Sequence, residues 1–159
     1  MLTSQQLSTL SSYIESNLAW AALPLNSDNS YTIAQELNQA ITPTFIVWKT
    51  SVPRNEVGKA FVASALAAIT SGNNDKLANF AAWNEIVNPS RADQRAFFDD
   101  IFSVTAGAST RAALLALWKR SATHVEKLFA TGTGSDAAPA TMTFEGYVSY
   151  QDVDQARAL

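Results

Sequence analysis

The only histidine, His124, is the first side chain to weigh for chemistry, because imidazole changes charge near neutral pH. A catalytic histidine needs a carboxylate to orient it and a partner to react with. Its sequence neighbours Arg120 and Lys127 are basic, and Glu126 is not at helix-face spacing. The residue therefore reads as a surface or helix-end histidine. Asp99 and Asp100 are adjacent carboxylates. On a helix, neighbours in sequence diverge by about 100°, so the two do not converge on one metal or sugar. Asp99 is better placed as an i,i+4 partner of Arg95. Gly132 and Gly134 in "TGTGSD" invite comparison with a phosphate loop. No GK[ST] follows, and the order is helix then strand, the reverse of what a phosphate loop requires. There are no cysteines, which excludes thiolate nucleophiles, disulfides and cysteine-based zinc sites. These residues predict no enzyme, no cofactor and no metal site.

Positive charge offers a second kind of site. Arg111, Lys119, Arg120 and Lys127 fall on what reads as one long helix. The last three sit toward its C-terminus, where cations meet the helix dipole favourably. They form a solvated face, or alternatively a face for DNA or an acidic partner. Fourteen acids against eleven bases give a net charge of −3, which argues against a dedicated electrostatic nucleic-acid binder. Four tryptophans, at 20, 48, 83 and 118, are scattered, and their positions do not separate core from interface.

The elements that must position these residues are mostly helical. "TSQQLSTLSSYIESNLAW" places Leu7, Leu10, Ile14 and Leu18 at spacings of three and four. "NSDNSYTIAQELNQAIT" supplies cap candidates Asp28 and Ser30 and ends at Pro43. "TFIVWKT" is short, β-branched and aromatic, and reads as a strand or buried link. A helix over "SVPRNEVGKAFVASALAAITSG" has Pro53 near its first turn. Asp75 is a cap for a helix with Leu77, Phe80, Trp83 and Val87 on one stripe. Ser90 and Asp93 approximate a capping pair for a helix bearing Phe97, Phe98, Ile101 and Phe102. Ser109 or Thr110 starts the longest helix, which runs to about Ala130. The chain of 159 residues is long enough to bury a core without a disulfide or metal. The expected fold is mainly α. It is a compact bundle of five to six helices over 1–130, with an appendage over 131–159.

That appendage changes character along its length. Residues 131–140 are small and turn-prone, which predicts a linker. "TMTFEGYVSY" then alternates with period two, with Met142, Phe144, Val148 and Tyr150 on one face, which predicts an extended β-strand arm. "QDVDQARAL" is a short terminal helix. A lone strand must find backbone partners. They are "TFIVWKT" in the same chain or an edge on a neighbouring subunit. On the intermolecular reading, deletion of 141–159 leaves a folded body and abolishes assembly. No apolar run approaches the roughly 20 residues that span a bilayer, and the start of the chain shows no signal-peptide pattern, so a soluble protein is expected.

Three stretches carry a family resemblance. They are "VWKTSVPRNEVGKAF", "VNPSRADQRAFFDDIFSVTAGASTRAALLALWKRSATHVEKLFATGTG" and "PATMTFEGYVSYQDVDQARAL". Together they resemble a family of small proteins from tailed bacteriophages and prophages. The resemblance runs from about Thr44 to the C-terminus, and "KRSATHVEKLFATGTG" and "PATMTFEGYVSYQDV" are its most distinctive pieces. It implies a head-tail connector or head-completion adaptor, located in the virion neck and in the host cytoplasm during assembly. Such proteins form a ring, usually a dodecamer, that joins the portal protein to an adjacent neck or tail protein. DNA passes through the channel without specific binding, and no membrane is involved. No catalytic position carries over. Phe144, Tyr147, Val148 and Tyr150 are the expected contact residues, from the strand pattern and the assembly class. The alternative is a DNA-engaging packaging or regulatory factor that uses the Arg111, Lys119, Arg120 and Lys127 face.

Overall fold

The computed structural model describes residues 2–159. The fold is mainly α, as expected, but more finely divided. In chain order the elements are α1 (Ser4–Ser16), α2 (Leu18–Ala21), α3 (Ser27–Leu37), β1 (Ile46–Trp48), β2 (Val52–Pro53), α4 (Arg54–Lys59) and α5 (Ala63–Ala68). There follow α6 (Ser71–Trp83), β3 (Ile86–Val87), α7 (Ala92–Ile101), α8 (Ala108–Trp118), β4 (Lys119–Ser121), α9 (His124–Leu128), β5 (Ala130–Thr131), β6 (Thr141–Met142) and α10 (Tyr150–Arg157). A single 3-10 turn, Thr105–Gly107, leads into α8.

The chain divides into two compact units. The first takes Met1–Val47 with Ser121–Leu159, and the second is the contiguous segment Trp48–Arg120. This division cuts across the body-plus-appendage boundary at 130, because the appendage is built into the first unit.

Side chains at helix starts explain why the first unit folds locally as it does. Thr3 accepts from Gln6 N–H while the Gln6 side chain accepts from Thr3 N–H, closing a reciprocal capping box on α1. Asn17 caps α2, and Asn26 rather than Asp28 or Ser30 caps α3. Thr123 with Glu126, and Ser149 with Asp152, form two further boxes on α9 and α10. One apolar cluster joins α1, α3, α9 and α10 through Leu10, Ile14, Ile33, Leu37, Val125 and Val153. A smaller one holds Val47, Ala122, Ala140 and Met142.

The expected long helix over Thr110–Ala130 is broken at Trp118. Beyond it, backbone groups leave the i→i−4 ladder for distant partners. Lys49 N–H donates to Trp118 C=O at 2.8 Å, Ala122 N–H to Phe45 C=O at 2.8 Å, and Ile41 N–H to Ala122 C=O at 3.1 Å. The expected helix over 51–72 is also two helices, because Val62 N–H turns to the Thr110 hydroxyl at 3.0 Å.

The linker expected over 131–140 is an ordered loop. Ile46 N–H donates to Gly134 C=O at 2.7 Å, and Ala140 N–H donates to Ile46 C=O at 2.9 Å. Gly134 has φ +66° and sits against the Phe45 ring, so any side chain there meets both backbone strain and a clash. The extended arm is corrected likewise. Only Thr141–Met142 is strand, paired antiparallel with Ala130–Thr131, and Val47 makes a parallel bridge with Ala140. After Met142 the chain leaves the extended path, and Gly146 supplies a φ of +125° before α10 begins.

The second unit is organised by aromatic packing. Phe98 on α7 lies 5.5 Å from Trp118 on α8 and 5.3 Å from Phe80 on α6, both edge-on. Phe102, Ile101, Leu114 and Val87 complete that core. β2 and β3 pair antiparallel, Val52 opposite Val87. Gly107 has no room for a Cβ, because the Phe102 backbone carbonyl occupies the space.

Candidate functional site

The four tail residues expected at contacts separate into two pairs. Phe144 is half-buried and meets Phe129 edge-on at 5.5 Å, packed against the α1/α3/α9/α10 core. Val148 is 3% exposed. Asn38 clamps its backbone, accepting from Val148 N–H at 3.0 Å and donating to Val148 C=O at 2.9 Å. Tyr147 is 78% exposed and Tyr150, at the start of α10, is 39% exposed. The period-two reading placed Phe144, Val148 and Tyr150 on one face. The bend at Gly146 and the start of α10 turn Tyr150 outward. Val148 is therefore a core residue and Phe144 packs half-buried against the core, while Tyr147 and Tyr150 are exposed.

The basic residues do not share a helix. Arg111 is on α8 and donates to Val104 C=O. Lys119 and Arg120 are in β4, and Lys127 is on α9 with its ammonium 5.4 Å from the Phe45 ring centroid. The break after Trp118 is the physical reason: it removes the i,i+4 register that would have aligned them.

His124 is the first residue of α9, and its backbone N–H donates to Gln39 C=O at 3.0 Å. Asp100 pairs with Lys76 across to α6 at 3.0 Å, with both side chains exposed. Arg95 lies over Trp48, its guanidinium 4.4 Å from the ring centroid, and donates to Pro89 C=O. Burial there lowers the Arg95 pKa, and the Asp99 charge works against that. Among the described residues, no group of three or more histidines, aspartates or glutamates comes together to hold a metal ion.

A surface of a different kind lies in the second unit. α6 contains no buried residue. Its Leu77 and Phe80 lean on α7, where Phe80 stacks on Phe97 at 4.7 Å. One turn further on, Trp83 is 87% exposed, and Ile86 just beyond it is 54% exposed. Trp20, Trp48 and Trp118 are all buried. Beside Phe80 lies an apolar hollow of about 210 Å³, walled by Val57, Phe61, Leu77, Phe80, Val87 and Phe98. Arg54 stands at it, its guanidinium donating to Ala81 C=O. The sequence placed Trp83 on the same stripe as Leu77 and Phe80. The helix ends at Trp83, which is left in water, while Val87 of the same stripe lies in β3 and is buried. The signal for this was the weak apolar character of α6, whose other face is Asn, Asp and Ala.

The first unit has its own opening, a cleft of about 420 Å³ bordered by Thr3, Gln5, Gln6, Thr9, Thr131 and Thr143. It is lined by hydroxyls and amides. Leu128, Phe129 and Ala130 also line it.

No family model, no curated protein and no solved structure matches the chain. Among the described residues, no helix is long and apolar enough to cross a membrane.

Proposed function

We propose that the protein is a virion structural component of a tailed bacteriophage, a head-tail connector or adaptor subunit that joins the portal protein to an adjacent neck or tail protein as a ring. The observation that carries this reading is the exposure of large apolar side chains on both units. Tyr147 and Tyr150 stand out of the first unit, and Trp83 and Ile86 out of the second. Exposed aromatics of this kind are the common anchors of protein–protein interfaces. The resemblance of residues 44–159 to small phage proteins supplies the assembly class. The work of such a subunit is mechanical. Each contact is modest, and symmetry multiplies it.

The tail is part of its own subunit, so the adaptor contacts are made by folded surfaces rather than by a free strand. The test is quantitative mass spectrometry of purified virions. A fixed copy number per particle, with retention on portal-containing necks, is the expected result. Absence from mature particles sinks the proposal. Duplex-DNA binding that weakens steeply with salt would instead favour a packaging factor.

A further inference from the structure

We propose that the polar cleft between α1 and β5 binds a neutral sugar, held as a residue of a short glycan. The site belongs to the first unit alone and does not depend on a role in the virion.

The cleft is built from the start of α1, the edge of β5 and Thr143 just after β6. No charged side chain lines it. A phosphate, an ammonium or a metal ion taken from water needs opposite charge beside it, so the cleft selects against all of these. Its polar groups are already aimed. The Gln6 carboxamide oxygen accepts from Thr3 N–H at 2.9 Å and from the Thr3 hydroxyl at 3.1 Å. That occupies the oxygen end of the amide and leaves its NH2 as a donor. The Thr9 hydroxyl donates to Gln5 C=O at 3.0 Å, and the Thr143 hydroxyl donates to Phe129 C=O at 2.8 Å. Each has placed its only proton and keeps lone pairs, so both are acceptors. Thr143 N–H also donates to Phe129 C=O, which makes Ala130 and Met142 the non-hydrogen-bonded pair of the ladder. Ala130 therefore turns its N–H and C=O away from β6, on the edge that borders the cleft. The exposed Gln5 carboxamide adds donors and an acceptor.

Fixed donors and acceptors side by side, without charge, match a ligand rich in hydroxyls, since each hydroxyl both donates and accepts. Leu128 and Phe129 add an apolar strip, which the C–H face of a sugar ring covers. A lipid or a bare aromatic ring would leave the amides without partners once bound. A cavity of about 150 Å³ accepts a six-carbon ring, so about 420 Å³ has room for two linked sugar rings.

The test follows backbone amide NMR signals of the full chain during titration with glucose, galactose, mannose, N-acetylglucosamine, maltose, cellobiose and chitobiose. At least one disaccharide is expected to shift Gln5, Gln6, Ala130 and Thr143 with a Kd on the order of 1 mM. It is expected to bind about 10-fold more tightly than its monosaccharide. Inorganic phosphate and trialanine are expected to leave these signals in place. Gln5→Ala and Thr9→Val change exposed residues of α1 outside its capping box, so the fold survives them. Each is expected to weaken binding about 10-fold, as loss of one or two hydrogen bonds does. Gln35→Ala, exposed on α3, is expected to bind as wild type. The proposal is overturned if no sugar of the panel shifts the cleft signals at the top of its titration. It is equally overturned if phosphate or trialanine shifts them as strongly, or if both α1 variants bind the sugars as wild type does. A monosaccharide that binds as tightly as its disaccharide overturns the glycan and leaves free sugar as the source.

Discussion

The two units reach a stable interior by different means. The contiguous unit, Trp48–Arg120, concentrates its packing in one aromatic cluster. Phe98 alone meets Phe61, Phe80, Phe97 and Trp118. The discontinuous unit joins residues more than a hundred positions apart, and it does so with polar clamps laid over an apolar cluster. Asn38 holds both backbone groups of Val148. Arg157 donates to the Ser30 hydroxyl at 3.1 Å and to Leu23 C=O at 2.7 Å. The Asp152 carboxylate accepts from Leu2 N–H at 3.3 Å. Apolar contacts are non-directional, whereas a hydrogen bond demands a particular distance and angle and so pins register more tightly. A unit closed by its two chain ends needs the second kind to choose one arrangement. A unit closed by sequence neighbours gets much of its register from short connections, with clamps such as Val62 N–H on the Thr110 hydroxyl added to them.

The largest test of this contrast is removal of 141–159. The deletion strips Met142, Val148 and Val153 from the first unit's interior, each 7% exposed or less. At about 1.5–3 kcal/mol for each such side chain, the loss approaches the whole stability of a small domain, about 5–15 kcal/mol. Limited proteolysis mapped by mass spectrometry is expected to show cleavage throughout residues 2–47 and 121–140, while 48–120 stays resistant. This reverses the expectation of the intermolecular reading, which left a folded body behind. A truncated protein that melts cooperatively at the wild-type temperature would restore the free-arm view.

The second unit should break at one point instead. Phe98→Ala removes the ring shared by four aromatic neighbours, at a site 1% exposed. Buried Phe→Ala changes cost about 3–5 kcal/mol. Urea denaturation is expected to show a loss in that range. A loss under about 1 kcal/mol would mean that the cluster is not the centre of the unit.

How much of this was legible follows from where the information lies. Helical identity was readable from the three-and-four spacing of Leu7, Leu10 and Ile14, because one helix face is a local property. The break after Trp118 was not, because its cause is distant. Phe45 and Ile41 take the backbone groups around Ala122 that a continuing helix would have used. Period two in "TMTFEGYVSY" was a real alternation of residue types. It was overruled where Asn38 captured Val148 and where Gly146 let the chain turn. The exposure of the four tail residues was not legible for the same reason: Tyr147 and Tyr150 are exposed, Val148 is buried and Phe144 is half-buried. The hollow beside Trp83 was beyond reach, since it is made by α4, α6 and α7 together.

The finest probe of the contrast is a single clamp whose strength depends on pH. Asp152 is 7% exposed, and burial alone would raise its pKa. The Ser149 hydroxyl at 2.7 Å, the Ser149 N–H at 2.9 Å and the Leu2 N–H outweigh that and hold the pKa below its ordinary 3.8. A carboxyl with a depressed pKa binds its proton more readily in the unfolded chain. The stabilisation is therefore complete above the ordinary value and lost as pH falls through the folded value. Asp152→Asn keeps the shape and removes the charge. At neutral pH it is expected to cost about 1–2 kcal/mol, as loss of a charged cap does. The gap between the two proteins should then close as the pH falls through the depressed folded value, below which both carry a neutral side chain. Urea midpoints for both, measured from neutral pH down into that acid range, give the curve. A gap that stays constant would show that Asp152 acts through shape alone, and that the first unit's register does not depend on this charge.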